Sequence, residues 1–150
     1  MPRALRTSTL ETREKPLGIV IPVRNGWEHT KECLKSIYHT EVPIKVVLVD
    51  GGSYDGTLDC LKFFPEVLQI ESRNATFSEA VNIGCNALFG FNSVDHVLIL
   101  NNDTVVLGNA LLHMLNSFDY YYKVGIVTPR INYHNSEMIW ACGGTLSLKL

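Results

Sequence analysis

An α/β fold built on a mostly parallel sheet is what this sequence of 150 residues predicts. Short, β-branched apolar runs alternate with stretches of helical period, which is the pattern of successive right-handed β-α-β units. The first run, at 17–23, is apolar on both faces, as a strand covered by helices on each side should be. Most of the runs stop abruptly at Asn, Asp, Gly or Ser, the residues that turn a chain at the end of a strand.

The elements follow in order. Residues 1–16 are polar, end at Pro16 and lack the apolar stretch of a secretory signal, so they read as a tail ahead of a domain at 17–150. LGIVIPV at 17–23 is the first strand. Residues 28–40 place Cys33, Leu34, Ile37 and Tyr38 three and four apart, one face of a helix. IKVVLV at 44–49 is a second buried strand, stopped by Asp50-Gly51-Gly52-Ser53. A helix is expected at 55–64 with Leu58 and Leu61 inward, ended by Pro65. Residues 67–71 make a third strand, 78–89 a helix, 96–100 (HVLIL) a fourth strand and 109–118 a helix. VGIVT at 124–128 is expected as a fifth strand, and 131–141 as two short strands around His134-Asn135-Ser136.

Composition removes several functions. Thirteen Lys and Arg face fifteen Asp and Glu with no block of like charge, which argues against nucleic acid as a partner. No apolar run approaches the ~18 residues of a membrane span. The four cysteines, at 33, 60, 85 and 142, form no C-x-x-C pair, so a zinc cluster is not offered; they read as free thiols, buried where they fall on helical faces, in a cytoplasmic protein.

In open parallel sheets, ligands bind outside the carboxyl ends of the strands. Four strands here deliver polar groups to that rim: Arg24-Asn25-Gly26, Asp50 to Ser53, Ser72-Arg73-Asn74 and Asn101-Asn102-Asp103. Asp50, an acceptor only, suits the imide N–H of a uracil or thymine ring. Asp103 offers one hard oxygen, and Mg²⁺ or Mn²⁺ bound with a substrate diphosphate needs only one or two carboxylates. The G-x-G-x-x-G of a dinucleotide site is missing after the first strand, as are a Walker-type phosphate loop and a G-x-S-x-G nucleophile turn.

These residues resemble a family 2 glycosyltransferase of the GT-A fold, in its rhamnosyltransferase-like members. IVIPVRN (19–25) is similar to the family's opening I-V-I-P-x-Y-N, and VVLVDGGSYDGT (46–57) to its V-V-D-x-G-S-x-D-G-T. The stretch 74–84, with Phe77, Ala80 and Asn82, LILNNDTVV (98–106) as a form of D-x-D, and VGIVTPRINY with IWACGG continue the likeness to about residue 144. The resemblance implies transfer of a sugar from a UDP- or dTDP-linked donor to a glycan or other acceptor hydroxyl, with inversion and a divalent cation. It implies a nucleotide-sugar site of Pro22, Val23, Asn25, Asp50, Gly52, Ser53, Asn74, Asn82, Asn101 and Asn102, with Asp103 on the metal. Asn101 stands where a strict D-x-D has Asp, and Arg24 where the family has an aromatic. The family's general base follows the I-W-x-x-G-G region, so it is expected beyond Leu150. The 17–150 domain is accordingly expected to be C-terminally incomplete, with a catalytically silent nucleotide-sugar-binding module as the alternative.

Overall fold

The computed structural model describes residues 14–90 and 93–144; residues 1–13 of the expected tail, and 145–150, lie outside it. In chain order the elements are β1 (Leu17–Val23), α1 (Trp27–Tyr38), β2 (Ile44–Asp50), α2 (Thr57–Cys60) running into a 3₁₀ turn (Leu61–Phe63), β3 (Leu68–Glu71), α3 (Phe77–Gly90), β4 (Val97–Ile99), α4 (Ala110–Tyr120), β5 (Ile131–Asn132) and β6 (Ile139–Ala141). They fall into two compact units, residues 14–108 and 109–144.

The first unit is a four-stranded parallel sheet in the order β3-β2-β1-β4, with Leu17 opposite Ile44 and Gly18 opposite Val97. The chain steps outward from β1 to β3 and then crosses back to the other side of β1. Right-handed connections therefore put α1 and α2 on one face and α3 on the other, and they make the gap between β1 and β4 the switch point of the sheet.

Burial follows from this arrangement. Ile19, Val20 and Ile21 alternate faces along β1, yet all three are fully buried, so both faces are covered. Val20, Val47 and Val49 meet Ala80 and Leu88 of α3. That approach is close because Gly84 has no side chain; a Cβ there would fall 2.4 Å from Val20 Cγ1. α1 buries Thr30, Cys33, Leu34 and Ile37. The expected helix at 55–64 is shorter than its pattern. Gly56 sits in the left-handed region (φ 83°), so helix begins only at Thr57, and the final turn tightens to 3₁₀.

In the second unit α4 turns Leu111 and Leu115 inward, and β5 and β6 pair antiparallel across a turn closed by Tyr133 N–H on Met138 O (3.0 Å). The strand expected at 124–128 is not formed. Val and Ile favour strands only where a ladder and a half-buried face receive them, and Ile126 is instead 80% exposed. The thiols also differ from expectation. All four are free, but only Cys33 is buried; Cys60 and Cys85 are half-buried and Cys142 is exposed.

Candidate nucleotide-binding rim

The carboxyl ends of β2 and β3 open onto a cleft of about 280 Å³ lined by Asp50, Gly52, Ser53, Leu58, Glu71, Arg73 and Asn74. Asp50, the last residue of β2, is 2% exposed. Its carboxylate accepts Gly52 N–H (3.0 Å) and Ser53 N–H (2.9 Å) at Oδ2, and the Ser53 hydroxyl at Oδ1. The turn after β2 is thus wound around this one side chain. Gly52 fits it because φ is 99° there, a conformation glycine adopts without strain. Asn74, also at positive φ (65°), closes the opposite wall by giving its N–H to Gly51 O (3.0 Å). Four of the residues expected from sequence, Asp50, Gly52, Ser53 and Asn74, therefore share the cleft.

The end of β1 is bonded to the same turn. Asn25 N–H donates to Ser53 Oγ (2.7 Å), Asn25 Oδ1 accepts Tyr54 N–H (2.9 Å), and Gly51 N–H reaches Val23 O (2.8 Å). Val23 is buried and Pro22 half-buried, so these two support the rim from beneath and are not part of the cleft lining. Asn82 stands exposed on α3, outside the lining as well.

A second knot forms at the switch point. Asn102 donates from Nδ2 to Asn25 O (3.3 Å) and to Thr30 Oγ1 (3.0 Å), and the Thr30 hydroxyl donates to Gly26 O (3.1 Å). Asn102 is half-buried, whereas its neighbours Asn101 and Asp103 are exposed. Hydrogen bonds consequently run without a break from Asp50 through Ser53 and Asn25 to Asn102, across the ends of β2, β1 and the loop after β4. Beside this loop the Cys33 thiol is pushed up to about 12, by burial first and then by the Asp103 carboxylate. It stays a neutral donor.

One structural side chain was given no role in the sequence reading. Asp55 accepts Gly26 N–H (2.6 Å) and Trp27 N–H (3.4 Å) at the start of α1, and Thr57 N–H (3.1 Å) and Thr57 Oγ1–H (2.6 Å) at the start of α2. One carboxylate caps two helices, since each helix start leaves backbone N–H groups without partners. The Thr57 hydroxyl contributes most to holding Asp55 below the usual carboxylate range, with the backbone N–H groups adding to it. The Asp-Gly-Thr spacing at 55–57 carried the signal for α2; the reach back to Gly26 is tertiary.

Among the described residues no group of three or more His, Cys, Asp and Glu could hold a metal by itself. An exposed Asp103 with the Asn101 amide two residues away instead fits a hard cation completed by diphosphate oxygens and water. Among the described residues no helix is long and apolar enough to cross a membrane.

Comparison with known proteins agrees with this layout. Residues 18–142 match the model of "Glycosyl transferase family 2". The glycosyltransferase GlyA of Streptococcus pneumoniae serotype 4 is 36% identical over 79 residues, which are 49% of this chain and 11% of that protein. The mannosyltransferase PcManGT from Pyrobaculum calidifontis, solved with GDP-Man and Mn²⁺, superposes with a TM-score of 0.56 at 21% identity, over 70% of this chain and 32% of its own. A 4-diphosphocytidyl-2C-methyl-D-erythritol synthase structure gives 0.61 at 17% identity, over 87% and 68%. These two likenesses show a shared GT-A-like fold and no more, and the chain spans only a small part of GlyA's length. With a parallel sheet, a polar rim at its carboxyl ends and the family pattern running from β1 to β6, this chain belongs to glycosyl transferase family 2.

Proposed function

We propose that the chain is the donor-binding part of a cytoplasmic glycosyltransferase that moves a sugar from a UDP- or dTDP-linked donor to a hydroxyl of a glycan or other acceptor, with inversion and with Mg²⁺ or Mn²⁺. The observation that carries the reading is the exposed Asp103, standing in a loop bonded to the end of β1 where strand order reverses. The rhamnosyltransferase-like assignment rests on the stretches 74–84, 98–106, 124–133 and 139–144.

In this reading the cleft takes the nucleotide. Asp50 lines the cleft with both oxygens already accepting from the 52–53 turn, and a base N–H would share Oδ1 with the Ser53 donors. Arg73, exposed on the cleft wall, presents planar donors suited to phosphate oxygens. Asp103 with the Asn101 amide would hold the cation. A cation bound there neutralises charge on the departing diphosphate. Asp50 and Asp55 already accept protein hydrogens, so neither is assigned as the base that deprotonates the acceptor.

Calorimetry with UDP and dTDP, with and without Mn²⁺, tests the reading. Mn²⁺ should tighten nucleotide binding by about tenfold or more, some 1.4 kcal/mol, and Asp103→Ala should abolish that gain while leaving metal-free binding intact. Equal affinity with and without Mn²⁺, or an unaltered gain in Asp103→Ala, would overturn it.

A further inference from the structure

The exposed loop that carries Asp103 is held along its length by one helix. Three small polar residues of α1, three apart and so neighbours on its surface, each bond a different point of it. Thr30 Oγ1 accepts from Asn102 Nδ2 at 3.0 Å, Cys33 Sγ donates to Asn101 O at 3.6 Å, and Ser36 Oγ accepts Val106 N–H at 3.0 Å. Thr30 and Ser36 also donate their own hydrogens back into α1, to Gly26 O and Cys33 O (2.7 Å), which leaves a lone pair of each turned to the loop. Thr30 and Cys33 are fully buried and Ser36 half-buried, so the bonds they make to the loop are partly shielded from water.

The start of the same helix is capped by Asp55 from the loop after β2. α1 thus touches the turn that follows the nucleotide cleft at its first residue and the Asp103 loop from Thr30 to Ser36, nearly two turns further on. The requirement this meets is geometric. A carboxylate that shares its cation with a diphosphate must be presented at a set position, and among the described residues no group of three or more His, Cys, Asp and Glu surrounds Asp103 to define that position.

We propose that Thr30, Cys33 and Ser36 are positioning residues, a rail on α1 that sets loop 101–106 and so fixes where Asp103 meets the metal-bridged diphosphate. This rests on the reading of Asp103 given above. It makes α1 the link between nucleotide binding and metal binding, a role its burial pattern alone would assign to core packing.

Two measurements on the full chain test it. Amide hydrogen exchange of the ligand-free protein reads the rail directly through Thr104 N–H, which bonds Asn101 O, and Val106 N–H. Thr30→Val, which keeps shape and loses the hydroxyl, should speed exchange at Thr104 by at least about fivefold, and Ser36→Ala should do the same at Val106, with Thr30→Ser restoring the native rate. Nucleotide titration with and without Mn²⁺ then reads the purpose. Thr30→Val should cut the Mn²⁺-linked gain by about tenfold, as loss of an outer partner does at metal sites, with metal-free affinity unchanged and Thr30→Ser close to native. A general loss of stability would lower both affinities together. Unchanged exchange in both variants overturns the rail. Faster exchange with an undiminished Mn²⁺ gain overturns its role in setting Asp103. If native protein shows no Mn²⁺ gain and Asp103→Ala is silent, the metal reading itself falls, and the positioning role falls with it.

Discussion

Replacing Gly84 with alanine puts a methyl group into the seam between α3 and β1. Its Cβ would lie 2.4 Å from Val20 Cγ1, 2.9 Å from Cγ2 and 3.2 Å from Cβ, against an ordinary carbon–carbon contact of about 3.5–4.0 Å. Val20 cannot yield, because it is fully buried, β-branched and held on both sides by the ladders to β2 and β4. The helix must therefore move off the sheet by roughly 1 Å, loosening Ala80 and Leu88 from Val47 and Val49. Overpacking of this kind costs about 1–3 kcal/mol, while Ala in place of Gly inside a helix returns up to about 1 kcal/mol. The balance is a loss of about 1–2 kcal/mol, or roughly 2–8 °C in Tm for a chain of this size. Urea unfolding should show a lower midpoint with an unchanged slope. Gly90→Ala, where a Cβ meets nothing within 4 Å, is the control and should stay within about 0.5 kcal/mol of native. Adding Val20→Ala removes both clashing methyls, so the double variant should be more stable than the sum of the singles by about 0.5 kcal/mol or more. Native stability in Gly84→Ala, or strict additivity, would refute the account of the seam.

Other expectations concern titration and reactivity. Asp55 is held below 3.8 when folded, so the stability it lends is present above that pH and is lost as pH falls through the lower folded value. Asp55→Asn should be less stable than native at neutral pH, and the gap should narrow in acid unfolding below pH 3.8. Cys33 keeps its proton to about 12 while an unfolded thiol loses it near 9.0. Stability from this group is therefore constant below pH 9 and declines from there towards 12, a slope that Cys33→Ala should reduce in alkaline melts. At pH 8 a small alkylating reagent should modify exposed Cys142 at once and Cys33 only at the rate of unfolding, which mass mapping of the labelled chain will read.

The parallel sheet was legible because its two central strands, β1 and β2, are buried on both faces. Burial of that kind leaves an apolar run such as 17–23 with no polar residue to hide it, and the turn residues then mark where each strand ends. Asp50, Gly52, Ser53 and Asn74 were legible for the same reason, since they occupy those ends. What the one-dimensional pattern missed depends on partners distant in sequence. Asp55 sits beside Thr57 but does half its work 29 residues upstream at Gly26. Thr30 and Ser36 look like ordinary polar positions of an amphipathic helix, and only the return of residues 101–106 along α1 gives them partners beyond their own helix. VGIVT at 124–128 erred in the opposite direction, because strand-forming side chains make no strand without a ladder to join.

The hydrogen-bonded rim divides labour among its residues. Asp50, Ser53, Asn25, Asn102 and Thr30 are joined in a chain of hydrogen bonds and form the scaffold of the rim. Arg24 just past β1, Glu71 at the end of β3 and Arg73 just past it are exposed to solvent, the last two in the cleft lining. Substitution at these three can alter what the cleft accepts while the scaffold beneath stays as it is. A surface already set before a ligand arrives also spares the binding step the entropy of ordering its loops. A few outward-facing changes can therefore alter the surface of the cleft without refolding the turns that carry it.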